Sequence, residues 1–293
     1  MAVNRRARAK AGTADAGIPS IRTSGLVEGE WTGGETLPDS HDLLRHVCRS
    51  MGVEGRFDIE LDTREFADPV SGAKLGLGSS AALTVALVTA LCTLAGRPGD
   101  AEAEAFEAHR LFQHGHGSGI DIATSFNGGV IEYRISEPSR SLQWPAGLEY
   151  AVLWSGRPAS TREKIEKLDQ ARRKEGAAAG TAPLCDASEA VVDAWRSAGV
   201  AELLAAFRHY VDALVHFDVD HTLGIFDAGH RELAGAAEKR NLVYKPCGAG
   251  GGDTGMVFAA DRQAVASFAS FAAESGFQLL DASLEAQGVL LES

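Results

Sequence analysis

The chain has 293 residues, 45% hydrophobic and 23% charged, enough to bury one large core or two ordinary ones. Its net charge of −12 is opposite to that of nucleic-acid-binding or polybasic membrane-surface proteins, so no nucleic-acid partner is expected. No run of about 18 apolar residues occurs, which excludes a spanning helix and a membrane partner of that kind.

The opening segment, residues 1–20, carries Arg5, Arg6, Arg8 and Lys10 but no apolar stretch. It is not a secretory signal, and it reads as a disordered basic tail. From Leu37 to Met51 the apolar residues Leu43, Leu44, Val47 and Met51 recur at helical spacing. Alternation of Phe57, Ile59 and Leu61 predicts a strand over Arg56–Leu61. After a loop comes a glycine-rich turn, then an apolar, alanine-rich helix that Gly96 and Pro98 end. A second helix is expected over Ala101–Gln113. A strand at Val130–Ile135 and another at Leu148–Trp154 follow. Helical periodicity then dominates Glu163–Lys174, Ala187–Ala198, Val200–Val215 and His221–Arg240, with a small-residue linker at Ala177–Pro183. The end of the chain reads as strands Leu242–Lys245 and Thr254–Ala259, helix Arg262–Glu274 and a last strand near Gly288–Leu291. The mixture predicts an α+β fold of two halves meeting near residue 150. Four widely separated cysteines, Cys48, Cys92, Cys185 and Cys247, form no CxxC pair. They read as reduced thiols of a cytoplasmic protein.

Chemistry concentrates in three glycine-rich segments. In Lys74–Ala82 (KLGLGSSAA), Gly76 and Gly78 let backbone N–H groups approach an anion, and the following helix start adds unpaired amides and partial positive charge. Ser79 and Ser80 can offer hydroxyls to a phosphate or to Mg²⁺. The lysine precedes the glycines, so this is not a Walker A loop. A plain helix start capped by Ser79 or Ser80 is the simpler alternative. The second segment, Lys245–Asp253 (KPCGAGGGD), has four glycines between two strand-like stretches, more than a hairpin turn needs. Asp253 is suited to pin that loop through local hydrogen bonds. The third, Gly117–Asp121 (GSGID), places Asp121 on a turn where it could serve as a general base or, more simply, cap a helix. His114 and His116 flank a glycine but have no further ligands nearby in sequence, so they read as surface histidines.

Together these segments resemble the GHMP kinase superfamily, with the phosphomevalonate kinase family as the nearest match. The phrases that carry it are KLGLGSSAA, GSGIDIA, Trp154–Thr161 (WSGRPAST) and KPCGAGGGD, in order over about residues 30–291. The resemblance implies a two-domain fold: a shortened ribosomal protein S5 domain 2-like, ATP-binding N-terminal domain over 21–147, and a ferredoxin-like C-terminal domain over 148–293. It implies ATP and Mg²⁺ as cofactors and transfer of the γ-phosphoryl group to 5-phosphomevalonate, on the mevalonate route to isopentenyl diphosphate. It also implies a cytoplasmic enzyme, a monomer or homodimer. By the same resemblance Lys74 and Asp121 are catalytic. Gly76, Leu77, Gly78, Ser79, Ser80 and Ala81 wrap the nucleotide phosphates, with Ser79 or Ser80 on the metal. Ser118, Ser160, Thr161, Lys245, Gly248, Ala249 and Gly250 hold the acceptor and close on the reacting phosphates. Residue chemistry leaves simpler roles open for some of these: Ser160 and Thr161 can cap the helix that follows, and Lys245 can be a solvated strand-end lysine.

The chain departs from the family at two places. The superfamily's first motif, a Pro-Gly-Lys…Gly-Glu-Tyr phrase, is absent; Gly29-Glu30-Trp31 resembles its end but lies too near Gly76. Cys247 stands where the family usually has serine, which removes one hydroxyl donor. Two alternatives therefore stand beside phosphomevalonate: a kinase acting on mevalonate or another small alcohol, with Asp121 as base, and a non-catalytic paralogue that binds nucleotide or a protein partner.

Overall fold

A computed structural model describes residues 1–14, 19–32, 42–52, 57–115, 117–175, 180–197 and 199–292. The chain divides into two compact units, Met1–Ser141 with Ser283–Ser293, and Leu142–Ala282.

The first unit holds strands β1 (Arg8–Thr13), β2 (Ser20–Ser24), β3 (Gly29–Thr32) and β4 (Phe57–Asp62), in the order β1-β4-β2-β3. β4 runs antiparallel to β1 and parallel to β2. The expected disordered tail is thus corrected: Arg8–Thr13 is an edge strand in register with β4, Ala11 opposite Ile59. Its inward residues, Ala9 and Ala11, pack on the core. Its outward ones are cations that meet acids, Arg8 to Glu65 at 2.6 Å and Lys10 to Glu60 at 3.6 Å. Two alanines carry too little hydrophobicity to announce a strand, while the charges blunt an exposed edge.

Helices α1 (Asp42–Met51), α2 (Ser79–Leu94), α3 (Ala101–Phe112) and α4 (Ile120–Asn127) complete this layer. The start expected for the first helix, 37–41, lies outside the described residues. α2 is apolar all round, and Leu87, Val88, Leu91 and Cys92 are fully buried. Such a helix needs cover on every side. It packs on β1 and under α1, α3 and α4. A short ribbon, β5 (Val130–Glu132) with β6 (Arg140–Leu142), follows.

No strand forms at Gly288–Leu291. This segment packs on the first unit, where Gly129 N–H donates to Glu285 C=O at 2.7 Å and Val289 N–H to Phe126 C=O at 3.2 Å. The Arg6 guanidinium donates to Gly288 C=O at 3.0 Å. The tail therefore leaves the domain expected over 148–293. Gly128 makes this close approach possible: a Cβ there, at φ 69°, would lie 2.4 Å from Gly288 N. Gly128→Ala is expected to cost about 2–4 kcal/mol, from left-handed strain plus displacement of the tail. Urea unfolding measures the cost, and limited proteolysis should show the tail cut first. A change under about 0.5 kcal/mol with the tail still protected contradicts the docking.

The second unit is built on strands β7 (Glu149–Trp154), β8 (Val243–Pro246), β9 (Thr254–Ala259) and β10 (Gln278–Leu280). They are ordered β10-β7-β9-β8 with antiparallel neighbours throughout. Helices α5 (Thr161–Glu175), α6 (Ala182–Ser197), α7 (Val200–His221) and α8 (His230–Glu238) come between β7 and β8, and α9 (Arg262–Glu274) between β9 and β10. Taking α8 and α9 as the crossovers, this is the βαββαβ ferredoxin-like arrangement, with α5–α7 inserted. Strand alternation serves both faces. Leu153, Val257 and Ala259 pack with residues of α8 and α9. Tyr150, Met256 and Phe258 pack with residues of α6 and α7, Phe207 stacking on Phe258 at 4.9 Å. The edge strand β10 is not legible in the sequence, because it is short and two of its three residues, Gln278 and Leu279, are exposed.

Candidate active site

In the first unit, a small backbone ladder fixes the approach to α2. Leu75 N–H donates to Phe66 C=O at 3.0 Å, and Ala67 bridges Lys74. Leu75 is buried, while Lys74 beside it is exposed. Gly76 (φ 72°) turns the chain, and Gly78 takes the N-cap position of α2 in the left-handed conformation, φ 78° and ψ 31°. No side chain caps this helix. The simpler alternative, a cap by Ser79 or Ser80, is therefore not what the chain builds. The ladder of α2 opens with Ala82 N–H donating to Gly78 C=O at 3.1 Å. The amides of the preceding turn have no carbonyl one turn back, which is the arrangement that binds anions. Ser79 is buried and Ser80 half-buried, so the serines differ in access.

Ser80 meets a residue the sequence did not single out. His109 of α3 is 1% exposed, and its Nε2 lies 3.3 Å from Ser80 Oγ. Burial pushes the His109 imidazole pKa down, and the Asp121 carboxylate nearby pulls it back up. Asp121 occupies the first turn of α4, whose N-cap is Gly119, so it is not itself the cap. One of its oxygens accepts Ile122 N–H at 3.1 Å. Tyr133 raises a phenol toward the same turn, donating to Ser118 C=O at 2.5 Å. Burial pushes that phenol's pKa up, and the Asp121 charge adds to the rise. Ser80, His109, Asp121, Ser118 and Tyr133 thus form one polar cluster where the starts of α2 and α4 meet the last turn of α3.

In the second unit the glycine-rich loop is a β8–β9 hairpin, but a pinned one. Gly251 N–H donates to Ile225 C=O at 2.7 Å and Asp253 N–H to Arg157 C=O at 2.6 Å. Ile225 belongs to a segment held by Asp218, 3% exposed, whose carboxylate accepts Ile225 N–H at 2.7 Å, Phe226 N–H at 3.2 Å and an Arg231 N–H at 3.2 Å. Lys164 of α5 donates to Leu223 C=O at 2.7 Å and Gly224 C=O at 2.6 Å. Burial lowers its pKa. Asp253 ties the loop to the distant Arg157 through its backbone N–H, where local bonds were expected.

The predicted site residues divide between the units. Lys74, Gly76, Leu77, Gly78, Ser79, Ser80, Ala81, Ser118 and Asp121 lie in the first; Ser160, Thr161, Lys245, Gly248, Ala249 and Gly250 lie in the second. Ser160 Oγ accepts Glu163 N–H at 3.3 Å, the capping alternative, and Thr161 begins α5 exposed. The Lys245 ammonium donates to Pro246 C=O at 2.8 Å. Gly248 is exposed, Ala249 half-buried and Gly250 buried. His116 lies outside the described residues. Among the described residues no group of three His, Cys, Asp or Glu side chains could hold a metal, and no helix is long and apolar enough to cross a membrane.

His109 and His230, both buried, have pKa values lowered from 6.5, chiefly by burial. The unfolded chain therefore takes up protons first. Their stabilising contribution is fully present above about pH 6.5 and is lost as pH falls below it, at up to about 1.4 kcal/mol per pH unit for each. Urea unfolding at intervals from neutral pH down should show this slope, and His230→Gln should flatten it by one proton's worth. An unchanged slope in that variant contradicts the assignment.

Comparison with known proteins places this geometry. Residues 41–129 match the GHMP kinases N terminal domain. The chain is 30% identical over 298 residues to phosphomevalonate kinase of Streptomyces sp. (strain CL190), covering 85% of this chain and 78% of that protein. It is 29% identical over 273 residues to mevalonate kinase of Bos taurus, covering 84% of this chain and 66% of that one. The structure of Streptococcus pneumoniae phosphomevalonate kinase in complex with phosphomevalonate and AMPPNP shares the fold, with a TM-score of 0.76 at 18% identity over 94% of this chain and 89% of that one. With its uncapped glycine-opened helix, its pinned glycine loop and these relatives, the chain belongs to the GHMP kinase superfamily, as an ATP-dependent small-molecule kinase of α+β, two-domain fold.

Proposed function

We propose that this kinase transfers the γ-phosphoryl group of ATP to the 5-phosphate of phosphomevalonate, giving 5-diphosphomevalonate. One observation carries the phosphoryl-transfer part: α2 opens on Gly78 with no side-chain cap, behind an exposed Lys74. The acceptor rests on the WSGRPAST and KPCGAGGGD phrases and on the Streptomyces relative. The acceptor is already an anionic nucleophile near neutral pH, so positioning and charge neutralisation outweigh proton abstraction.

In this mechanism the α2 amides and the Ser79 and Ser80 hydroxyls hold the ATP phosphates. The Lys74 ammonium neutralises charge on the group in transfer, and Asp121 would orient that lysine or the metal. Ser118, Ser160, Thr161 and Lys245 hold phosphomevalonate, and Gly248, Ala249 and Gly250 supply backbone amides to the phosphates. Hydroxyls beside a polyphosphate suit Mg²⁺, a hard cation that favours substrate phosphates and water over an all-protein cage. When bound, Mg²⁺ supplies charge neutralisation at the phosphates. The enzyme acts in the cytoplasm, as a monomer or homodimer.

The bovine relative favours a second reading, in which mevalonate is the acceptor and Asp121 takes the hydroxyl proton. Phosphorus NMR of the product separates them. A pair of coupled diphosphate resonances made from phosphomevalonate, in addition to the ADP pair, is the expected result, and a lone phosphomonoester resonance made from mevalonate overturns it.

A further inference from the structure

His230 of α8 is 0% exposed and has a partner on each side of its ring. Nδ1 lies 2.7 Å from the Tyr244 hydroxyl, and Nε2 lies 3.0 Å from the Gly252 carbonyl oxygen. A carbonyl only accepts, so Nε2 must carry the proton. In the neutral ring Nδ1 is then an acceptor, and the Tyr244 O–H donates to it. All three groups are satisfied by that one assignment. Tyr244 is itself fully buried on β8, and a Cβ on Gly255 of β9 would overlap its hydroxyl. The phenol is thus locked against the sheet, the imidazole against the phenol, and Gly252 against the imidazole.

Gly252 is the last glycine of the pinned loop. On its other side a Cβ would meet Arg157 O and Pro158 O, each at 2.8 Å. Asp253, next in sequence, donates its N–H to that same Arg157 carbonyl. Arg157 and Pro158 lead directly into Ser160 and Thr161. One buried imidazole therefore fixes the point where the glycine loop and the WSGRPAST segment touch. Core packing alone would be served as well by an apolar side chain, without the need to satisfy three polar groups in a dry site.

We propose that His230, held by Tyr244, is a positioning residue that sets the Gly252 carbonyl, and through it the conformation of the glycine loop used in phosphoryl transfer. This rests on the kinase activity proposed above for the catalytic consequence, but not for the loop's order.

The test compares two variants that both replace the ring with a carboxamide, Gln reaching one methylene farther than Asn. The amide nitrogen of His230→Gln can stand where Nε2 stands and still donate to Gly252, whereas His230→Asn reaches only toward Tyr244. In the full-length chain, at a temperature well below unfolding, two measurements are made. Hydrogen exchange followed by mass spectrometry reads peptides covering 248–253, and steady-state kinetics reads kcat and KM for ATP. The expected result is at least tenfold faster exchange in this loop for His230→Asn, with His230→Gln near the wild type. In step with it, kcat should fall about tenfold in the Asn variant, with KM for ATP changed less than threefold, and recover in the Gln variant. Equal exchange in both variants, or equal kcat, overturns the proposal and leaves His230 as a packing residue. Should both variants fail to fold, Tyr244→Phe, which removes only the hydroxyl, is read the same way. Faster loop exchange at unchanged global unfolding supports the proposal, and unchanged loop exchange overturns it. A wild-type chain that transfers phosphate to no acceptor would refute the kinase function, while the exchange data would still decide the anchor.

Discussion

Lys74→Ala is expected to lower turnover at least a hundredfold while leaving the fold in place. Removing one fixed charge-stabilising donor from a transition state typically costs that much. The side chain is exposed, and its position is set by backbone bonds, Leu75 N–H to Phe66 C=O and the Ala67–Lys74 bridge, that the substitution leaves intact. Stability should therefore change by no more than about 0.5 kcal/mol. Kinetics with ATP and phosphomevalonate, beside a urea melt, separate these effects. Turnover within threefold of the wild type contradicts the role given to Lys74.

Gly250→Ala is expected to be the most damaging single methyl group in the glycine loop. At φ 68° the new Cβ would lie 2.4 Å from Ile225 O and 3.1 Å from its carbonyl carbon. That carbonyl cannot retreat freely. It accepts Gly251 N–H, and Ile225 N–H is bound to the buried Asp218 carboxylate. Left-handed strain and backbone displacement together should cost about 2–4 kcal/mol, with turnover reduced at least tenfold. Gly248→Ala supplies the contrast. Its Cβ would point into open space at φ 57°, so only about 1–2 kcal/mol of strain is expected. Equal effects at the two positions contradict a loop pinned on the Ile225 side.

Much of the fold was legible in the sequence where one period dominates a segment. The apolar run after Gly78, the alternation of Phe57, Ile59 and Leu61 and the helix Arg262–Glu274 all form as their patterns predict. β1 was not legible, because Ala9 and Ala11 bury too little area to stand out beside Arg8 and Lys10. The last strand, expected near Gly288–Leu291, forms instead at β10. Both segments are short, and only tertiary pairing decides which lies beside β7. At the site, glycines and serines announced the anion-binding helix start. His109 and His230 did not announce themselves. Their partners, Ser80 and the Tyr244–Gly252 pair, lie 29, 14 and 22 residues away and meet them only through packing. Lys164 sits in the strongly charged α5 and reads as a solvated helix face, yet its ammonium is spent on two backbone carbonyls. Sequence periodicity reports which face is apolar; it does not report a single polar contact between elements.

The most direct test of the proposed activity is ADP release measured in parallel with 5-phosphomevalonate, mevalonate and homoserine, each with ATP and Mg²⁺. The expected result is release that depends on phosphomevalonate and exceeds that with either alcohol. Release with mevalonate or homoserine but not with phosphomevalonate, or with none of the three, contradicts it.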